Sequence, residues 1–303
     1  MMKSLVLIAL LVTVSVFSLN ILVPAGPTVV SVAALLEEKV SSDVPLKIDF
    51  WRTLDQVSAQ IAAKSVDIVV LPVSIGTTLY LKNVDLRLAA VTLWSGFYVV
   101  TKDIKLSSVE DLNNQEIYTP QGKGQTGDVL IRFLVEKYNL SNASIKYAVQ
   151  NEIVALMSAG KVKIAVLPEP FVTLALRNAS ASIAFDLQQI WSQLTGKKPE
   201  VPITGVFVRG ELLQKTQEIL QALDAIKRSI DYAKQNPKEV SQLSAKYLGG
   251  TSPEVIEESL RRTLYEYRSA KDQKEDIVFY LNTVKQIEPE AMPTLPDDAF
   301  FAF

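Results

Sequence analysis

Residues 66–72 read Val-Asp-Ile-Val-Val-Leu-Pro, and residues 162–168 read Val-Lys-Ile-Ala-Val-Leu-Pro. Five of the seven positions are identical, at a fixed offset of 96 residues. A short helical pattern precedes each copy, over residues 56–64 and over residues 152–159. Chance similarity is the alternative, because Val, Ile and Leu recur in any buried parallel strand. The repeat predicts two similar α/β lobes, with a cleft between them that binds a small ligand.

The flanking sequence extends this pattern in both directions. Strand and helix patterns alternate from residue 20 to residue 81, which predicts a doubly wound, mostly parallel sheet. The apolar stretch 86–101 is interrupted at Trp94-Ser95-Gly96 and predicts two strands with a bend between them. A glycine-rich loop, 120–127, precedes another helical pattern, and a long 3.6-residue periodicity starts at residue 211. The prediction is therefore an α/β fold with helices on both faces of its sheets.

The composition excludes several classes of function. The chain of 303 residues has no cysteine and no histidine. It therefore lacks disulfides, thiolate metal sites, the commonest metal ligand and the Ser-His or Cys-His pairs of many hydrolases. The 31 basic and 33 acidic residues nearly balance, and they form no basic cluster that suits nucleic acid. We expect no metal, no cofactor and no nucleic-acid partner.

The N-terminus has the pattern of a secretory signal peptide. Met1-Met2-Lys3 is followed by an apolar run from Leu5 to Phe17, and Val16 and Ser18 fit the −3 and −1 positions of a cleavage site. The run is shorter than the roughly 20 residues of a comfortable membrane span. An uncleaved N-terminal anchor is the alternative. We expect residues 1–18 to be removed and the mature protein to be exported, periplasmic or extracellular, without a lipid-anchor cysteine.

Four segments, in this order, resemble the substrate-binding proteins of ABC importers, in particular the nitrate, sulfonate and taurine group, which includes binders of thiamine-precursor pyrimidines. They are Ala-Ala-Lys-Ser-Val-Asp at 62–67, Leu-Ser-Ser-Val-Glu-Asp-Leu-Asn-Asn-Gln at 106–115, the glycine loop from Thr119 to Gly127, and Ala-Leu-Met-Ser-Ala-Gly-Lys-Val at 155–162 with Leu-Pro-Glu-Pro-Phe at 167–171. Lys64 and Asn114 stand where the family usually has glycine. The order and spacing of the segments carry the resemblance, which covers nearly the whole mature chain.

The resemblance implies a periplasmic-binding-protein-like fold of type II, with two lobes, mixed but mostly parallel sheets and two crossovers. Residues 19–100 and 205–303 would form the first lobe, and residues 101–204 the second. The implied function is capture of a small polar or anionic organic solute and delivery to an ABC permease in the membrane, by a monomer and without catalysis.

Candidate ligand contacts lie in loops at the carboxyl ends of the predicted strands, where helix N-termini favour anions. Each has a purely structural alternative: a tight turn at residues 25–28, a helix cap at Ser74, a solvated side chain at Lys123, a first-turn carboxylate at Glu169, and core packing for the tryptophans. The predicted ligand-binding residues are Gly26, Thr28, Trp51, Ser74, Trp94, Lys123, Gln125, Thr126, Gly127 and Glu169.

Two other functions remain open at this stage. One is a sensing protein that presents a ligand-bound surface to a membrane receptor, and the other is an enzyme on the same two-lobe fold. Family relatives that make a pyrimidine precursor use a histidine, which this chain lacks. The ligand also remains open among a sulfonate, nitrate, a taurine-like zwitterion and a pyrimidine.

Overall fold

The structure is a computed structural model that describes residues 18–120 and 122–303. The predicted signal peptide lies, except for Ser18, outside the described residues, as does Gln121 of the glycine loop. Eleven strands form in the described part of the chain. They are β1 Leu19–Pro24, β2 Leu46–Trp51, β3 Ile68–Pro72, β4 Leu86–Ser95, β5 Phe97–Thr101, β6 Glu116–Pro120, β7 Ser144–Ala148, β8 Ile164–Pro168, β9 Ser182–Asp186, β10 Thr204–Arg209 and β11 Leu264–Ser269.

Eleven α-helices accompany the strands within the same described ranges. They are α1 Ala33–Leu36, α2 Leu54–Ala62, α3 Val73–Leu81, α4 Thr126–Lys137, α5 Gln150–Ser158, α6 Phe171–Asn178, α7 Leu187–Thr195, α8 Thr216–Gln235, α9 Pro237–Ala245, α10 Pro253–Leu260 and α11 Lys274–Ile287. Short 3-10 helices cover Pro27–Ser31, Val109–Leu112, Gly210–Gln214 and Asp298–Phe300. None of the described helices is both long and apolar enough to cross a membrane.

The strands form two sheets with the same internal order. The first runs β11-β4-β10-β3-β1-β2, and the second, read from its far edge, runs β9-β5-β8-β6-β7. In each sheet three strands are parallel (β2, β1 and β3; β7, β6 and β8), and the next one, β10 or β5, is antiparallel to them. The mixed, two-lobe α/β fold that the sequence predicts is confirmed. The prediction of mostly parallel sheets is wrong, because five of the nine strand pairings are antiparallel.

The quoted repeat marks equivalent elements of the two lobes. Strands β3 and β8 begin and end 96 residues apart, and so do the helices that precede them, α2 and α5. Both strands are almost entirely buried, because each has a strand on both sides and helices on both faces. The identical apolar residues therefore occupy the same position in each sheet.

Two short segments connect the sheets side by side. The first is Gly96, between β4 and β5, whose φ of +142° favours glycine. The second precedes β10, where Val201 N–H donates to the carbonyl of Trp94 at 2.7 Å and Ile203 N–H donates to that of Leu93 at 2.9 Å. The second sheet begins at Phe97, whereas the sequence analysis places the lobe boundary at residue 100.

A buried glutamine fixes the first crossover. Gln188, on α7, accepts hydrogen bonds from the N–H groups of Gly96 and Phe97 at 3.1 and 2.9 Å and donates to the carbonyl of Phe97 at 2.8 Å. Three backbone groups that no strand neighbour satisfies are thereby paired. The turn between the lobes consequently has a defined geometry at its second-lobe end.

The C-terminal segment contacts both lobes. Helix α11 packs against α4, and its Phe279 and Tyr280 contact Trp191 of α7. The final residues return to the first sheet, where Ala302 N–H donates to the carbonyl of Leu88 at 2.8 Å. The segment beyond residue 270 therefore spans the junction of the lobes.

Candidate functional site

A cleft of about 550 Å³ separates the two sheets. Its wall contains residues from both lobes and from both crossovers. The lining residues are Pro24, Ala25, Gly26, Pro27, Thr28, Trp51, Arg52, Thr53, Leu54, Asp55, Pro72, Leu93, Ser95, Gly96, Phe97, Gln125, Thr126, Val149, Gln150, Pro168, Glu169, Ile203, Thr204 and Thr263.

Six helices begin at or just beyond this wall, three in each lobe. In the first lobe they are the 3-10 helix 27–31, α2 and α3, which follow β1, β2 and β3. In the second lobe they are the equivalent α4, α5 and α6, which follow β6, β7 and β8. Parallel strands end at one edge of their sheet, so their helices start together and direct N–H groups and partial positive charge toward the cleft.

Capping differs among these helix starts. Thr53 Oγ1 accepts from Gln56 N–H at 3.3 Å and caps α2. At α4, at α5 and at the 27–31 helix, no described side chain makes a cap hydrogen bond. First-turn N–H groups at those three positions are therefore available to a ligand.

An aspartate of α4 fixes the glycine loop that precedes this helix. The helix starts at Thr126, within the glycine-rich loop of residues 120–127, and Gln125 is its N-cap residue. Asp128, fully buried, accepts from Gly124 N–H at 2.8 Å, from Arg132 Nε at 3.1 Å and from the Tyr147 hydroxyl at 2.6 Å. Burial, followed by the hydrogen bond to Asp128, raises the pKa of Tyr147, so this phenol remains a donor. The loop is thus anchored, and Gln125 and Thr126 reach the cleft.

Glu169 lies at the cleft wall, but its oxygens are already engaged. Oε1 accepts from Arg262 Nε at 2.5 Å, while Oε2 accepts from the N–H and hydroxyl of Thr173 at 3.0 and 2.8 Å. Burial raises the pKa of this carboxyl, and the Arg262 and Thr173 donors oppose that rise. The carboxylate therefore caps the first turn of α6, as the structural alternative in the sequence analysis proposes for Glu169. It also pairs with Arg262.

The apolar part of the wall has one prominent aromatic ring. Trp51 ends β2, and its indole N–H donates to the carbonyl of Val70 at 3.1 Å, which fixes the ring orientation. Phe97 and Leu93 line the same cleft, as do three prolines at strand ends and Pro27. A ligand with an apolar body can bury that body against these side chains.

Six of the ten predicted residues line the cleft: Gly26, Thr28, Trp51, Gln125, Thr126 and Glu169. The other four are placed elsewhere. Lys123 is exposed on the loop and is not part of the wall. Gly127 and Ser74 are buried behind the wall, and a side-chain carbon at Gly127 would lie 2.9 Å from Thr119 Oγ1.

Trp94 packs in the core instead of stacking on a ligand. It is 1% exposed, its indole N–H donates to the carbonyl of Glu266 at 3.0 Å, and the Arg268 guanidinium lies 4.4 Å from its ring centre. A strand that is buried on both faces leaves no free side for the ring. This outcome was the alternative considered for both tryptophans.

Sequence reasoning missed several wall residues. Arg52 and Asp55 flank the start of α2, Gln150 starts α5, and Thr263 lies between α10 and β11. The first three occupy strand-to-helix junctions, so the repeat itself could have indicated them. Thr263 carries no such signal, because its loop reaches the cleft only through the pairing of β11 with β4.

Comparison with known proteins places this geometry in a family. A family model described as "Menaquinone biosynthesis" matches residues 50–282, and the chain belongs to that family. A solved structure of an ABC transporter from Parabacteroides distasonis is 28% identical to this chain, with a TM-score of 0.78. The alignment covers 94% of this chain and 99% of that one. No curated protein is significantly similar in sequence.

More distant structures share the fold. The periplasmic aliphatic sulphonate-binding protein SsuA from Escherichia coli is 14% identical with a TM-score of 0.76, over 94% of this chain and 92% of that one. The periplasmic nitrate-binding protein NrtA from Synechocystis PCC 6803 is 11% identical with a TM-score of 0.73, over 92% of this chain and 83% of that one. These solved structures, an ABC transporter and two periplasmic binding proteins for a sulphonate and for nitrate, agree with the resemblance seen in the sequence.

Proposed function

We propose that this chain is an extracytoplasmic solute-binding protein that captures a small organic solute between its lobes and delivers it to an ABC importer. The observation that carries the proposal is the cleft, whose wall takes helix starts equally from two equivalent lobes. Such a site binds by closing two half-sites on a ligand and requires no reaction. The 28% identity to an ABC transporter structure over nearly the full chain supports the same function.

The wall favours an organic acid among the ligands considered. A volume of about 550 Å³ is in the range of sites for whole organic molecules, and a bare inorganic anion would leave most of it unfilled. Trp51 and Phe97 suit an apolar or ring-containing body, and the uncapped helix starts suit a negative group. Glu169 is engaged by Arg262 and Thr173, so it offers little to a ligand amine.

The test is recovery of a natural ligand. Native mass spectrometry of the purified mature protein would detect a co-purified solute, and calorimetry with that solute would give its affinity. A ligand that binds only the folded state raises stability by about 2.7 kcal/mol at a hundredfold excess over Kd. A protein that yields no ligand and is stabilised by none of a set of sulfonates, carboxylates, nitrate and pyrimidines would contradict the proposal.

The family description favours an enzyme as the second candidate. The chain has no histidine, and the buried carboxylate of the cleft is held by Arg262 and Thr173. Acid–base catalysis would then depend on an exposed group such as Asp55. Mass spectrometry of the ligand after prolonged incubation distinguishes the candidates, since a binding protein returns it unchanged and an enzyme does not.

Export is part of the proposal. Strand β1 begins at Leu19, so removal of residues 1–18 leaves its pairing with β2 intact. We expect intact-mass analysis of exported protein to give a chain that starts close to Leu19. Full-length protein with Met1 retained in the cytosol would contradict this expectation.

A further inference from the structure

Three charged residues line the cleft, and two of them make no ion pair with the described part of the chain. The three are Arg52, Asp55 and Glu169. Glu169 pairs with Arg262, so its charge is balanced at the wall. The side chains of Arg52 and Asp55 have neither an ion pair nor a hydrogen bond with the described residues. The wall therefore holds one cation that is free to bind a ligand.

A free guanidinium is unusual in this protein. Seven of the nine arginines form ion pairs within the described residues, and the two that do not are Arg52 and Arg261. Arg261 is exposed and lies outside the cleft wall. An unpaired guanidinium keeps all five of its N–H donors for a partner. Among the described arginines, Arg52 alone combines a free guanidinium with a place in the cleft wall.

The backbone at Arg52 is fixed, although its side chain is not. Arg52 N–H donates to Gln56 Oε1 at 3.0 Å, and Gln56 N–H donates to Thr53 Oγ1 at 3.3 Å. These two bonds define the junction of β2 with α2. The preceding residue, Trp51, is buried, and its ring is held by the carbonyl of Val70. The Arg52 side chain therefore starts from a defined point next to the apolar part of the wall.

The second lobe contributes neutral groups to the wall. Gln125 and Gln150, at the starts of α4 and α5, line the cleft and are half-buried. Their side-chain amides make no hydrogen bond with the described residues. Ala148 stands 96 residues after Arg52, so the equivalent junction of the second lobe has no charge at this position. An anion in the cleft thus has its charge partner in the first lobe and amide donors in the second.

Asp55 has a structural role at the same junction. It lies in the first turn of α2, where the positive end of the helix stabilises a carboxylate. Its negative charge opposes the binding of an anion, so it is not a partner for an acid. It provides a matched control, because it is an exposed, unpaired charge three residues from Arg52.

We propose that Arg52 is the specificity-determining residue of the cleft and that its guanidinium pairs with the acidic group of the ligand. The inference rests on the proposed binding function and names the residue that selects an acid. A carboxylate or sulfonate can accept two parallel N–H bonds from one guanidinium. The apolar body of the acid then lies against Trp51 and Phe97. The amides of Gln125 and Gln150 bind the same molecule when the lobes close on it.

Calorimetry with two organic acids tests the role of the Arg52 charge. The variants are Arg52→Gln and Arg52→Lys, and Asp55→Asn is the control. The probes are 4-phenylbutyrate and benzenesulfonate, with 4-phenylbutyramide and benzenesulfonamide as uncharged counterparts.

We expect Arg52→Gln to bind the acids about tenfold more weakly than wild type, because hydrogen bonds between charged groups are lost. It should bind the uncharged counterparts as tightly as wild type does. Arg52→Lys should give an intermediate affinity, since it keeps the charge and loses the planar pair of donors. Asp55→Asn should bind the acids as tightly as wild type or more tightly.

Fluorescence quenching tests the same charge without an organic ligand. Trp51 is 9% exposed, whereas Trp94 and Trp191 are 1% and 3% exposed, so dissolved quenchers act mainly on Trp51. Iodide is an anion, and its quenching should decrease in Arg52→Gln and increase in Asp55→Asn. Quenching by neutral acrylamide should be the same in all variants.

Equal affinity for the acids, or equal quenching by iodide, in wild type and Arg52→Gln would overturn the inference. An equal loss for the acids and their uncharged counterparts would also overturn it, because only the apolar stem of Arg52 would then contact the ligand. Wild-type protein that binds neither acid would do the same. The proposed function is judged separately by the co-purified solute. A recovered solute without an acidic group would leave solute binding in place and refute only the role of Arg52.

Discussion

At the scale of single residues, the three tryptophans have different environments. Trp51 lines the cleft, whereas Trp94 lies under Arg268 and Trp191 packs against Phe133 and Tyr280. We expect ligand binding to change the tryptophan fluorescence mainly through Trp51. The change should be lost in Trp51→Phe and retained in Trp94→Phe, as followed by emission titration with the natural ligand. The reverse pattern would place the ligand away from β2.

The buried pair of Glu169 and Arg262 predicts a pH dependence of stability. Burial raises the pKa of Glu169 in the folded state above its ordinary value of 4.5. Such a group holds its proton more tightly when folded, so its stabilising contribution is complete below the ordinary pKa and is lost as pH rises through the raised pKa. Glu169→Gln does not titrate. The unfolding free energy of wild type minus that of the variant should therefore fall as pH rises from below 4.5 toward neutrality.

Urea denaturation at a series of pH values measures this difference. A difference that grows with pH would mean that the Arg262 guanidinium outweighs burial and holds the pKa of Glu169 below its ordinary value. In that case the ion pair, and not burial, would dominate the energetics of this carboxyl.

At the scale of elements, the helix N-termini at the cleft are of two kinds: some have a side-chain cap, and others have none among the described residues. Thr53 caps α2, and Gln56 accepts from Arg52 N–H at 3.0 Å, so this end is satisfied within its own lobe. Gln125 is the N-cap residue of α4 but makes no cap hydrogen bond among the described residues. Thr53→Ala should lower the free energy of unfolding by about 1 kcal/mol. Gln125→Ala should leave stability unchanged and weaken ligand binding.

Chemical denaturation and calorimetry on the same two variants check this contrast. A stability loss in Gln125→Ala equal to that in Thr53→Ala would indicate that the start of α4 is structural and not a ligand contact. The two variants are each other's control, since both truncate an N-cap residue at the same cleft.

The elements show which part of the fold is readable from the sequence. The break of 86–101 into two strands at Ser95–Gly96 and the helix at Lys274–Ile287 follow from apolar runs, a glycine and a 3.6-residue period. The 3.6-residue periodicity that starts at residue 211 predicts helices, so strand β11 is not predicted from it. Tyr265 and Tyr267 alternate with Glu266 and Arg268 in the pattern of an edge strand, which a helical interpretation of the preceding residues obscures.

The site was less predictable than the fold for a physical reason. Strand ends and helix starts are local features, so Gly26, Trp51 and Gln125 could be proposed from their own neighbourhoods. Burial of Trp94 depends on Arg268 and Glu266, more than 170 residues away, and the partner of Glu169 is Arg262, which lies 93 residues away. No short-range pattern in a single sequence records such contacts.

At the scale of the whole molecule, α10 lies across the lobe junction. It packs against α9, which belongs with the first lobe, and against α6 of the second lobe. Glu258 on α10 accepts from Arg177 Nε on α6 at 2.9 Å and from Arg262 at 3.5 Å. Arg262 in turn pairs with Glu169 at the cleft wall. This network draws the lobes together on the side of the cleft where Thr263 lies.

Breaking the network should therefore shift the lobes toward a more open arrangement. In Glu258→Gln, the amide keeps its shape but loses the charge that attracts both arginines. Exposed ion pairs contribute about 0.2–1 kcal/mol each, so we expect ligand affinity to fall by a factor of about two to five. The Arg177 and Glu258 side chains are 44% and 30% exposed, and about 1 M salt should bring wild type toward the behaviour of the variant.

The absence of cysteine from the sequence permits a direct distance measurement. Spin labels on Ser58→Cys, in α2, and Ala155→Cys, in the equivalent helix α5, report the separation of the lobes. Without ligand, the Glu258→Gln background should give a longer or broader distance distribution than the labelled parent protein. Glu239→Gln is the control, because its partner Lys39 lies in the same lobe and has similar exposure. Equal distances and equal affinities in the Glu258 and Glu239 variants would show that the closed arrangement is set by the crossovers at Gly96 and Val201–Ile203, and not by charge pairing across α6 and α10.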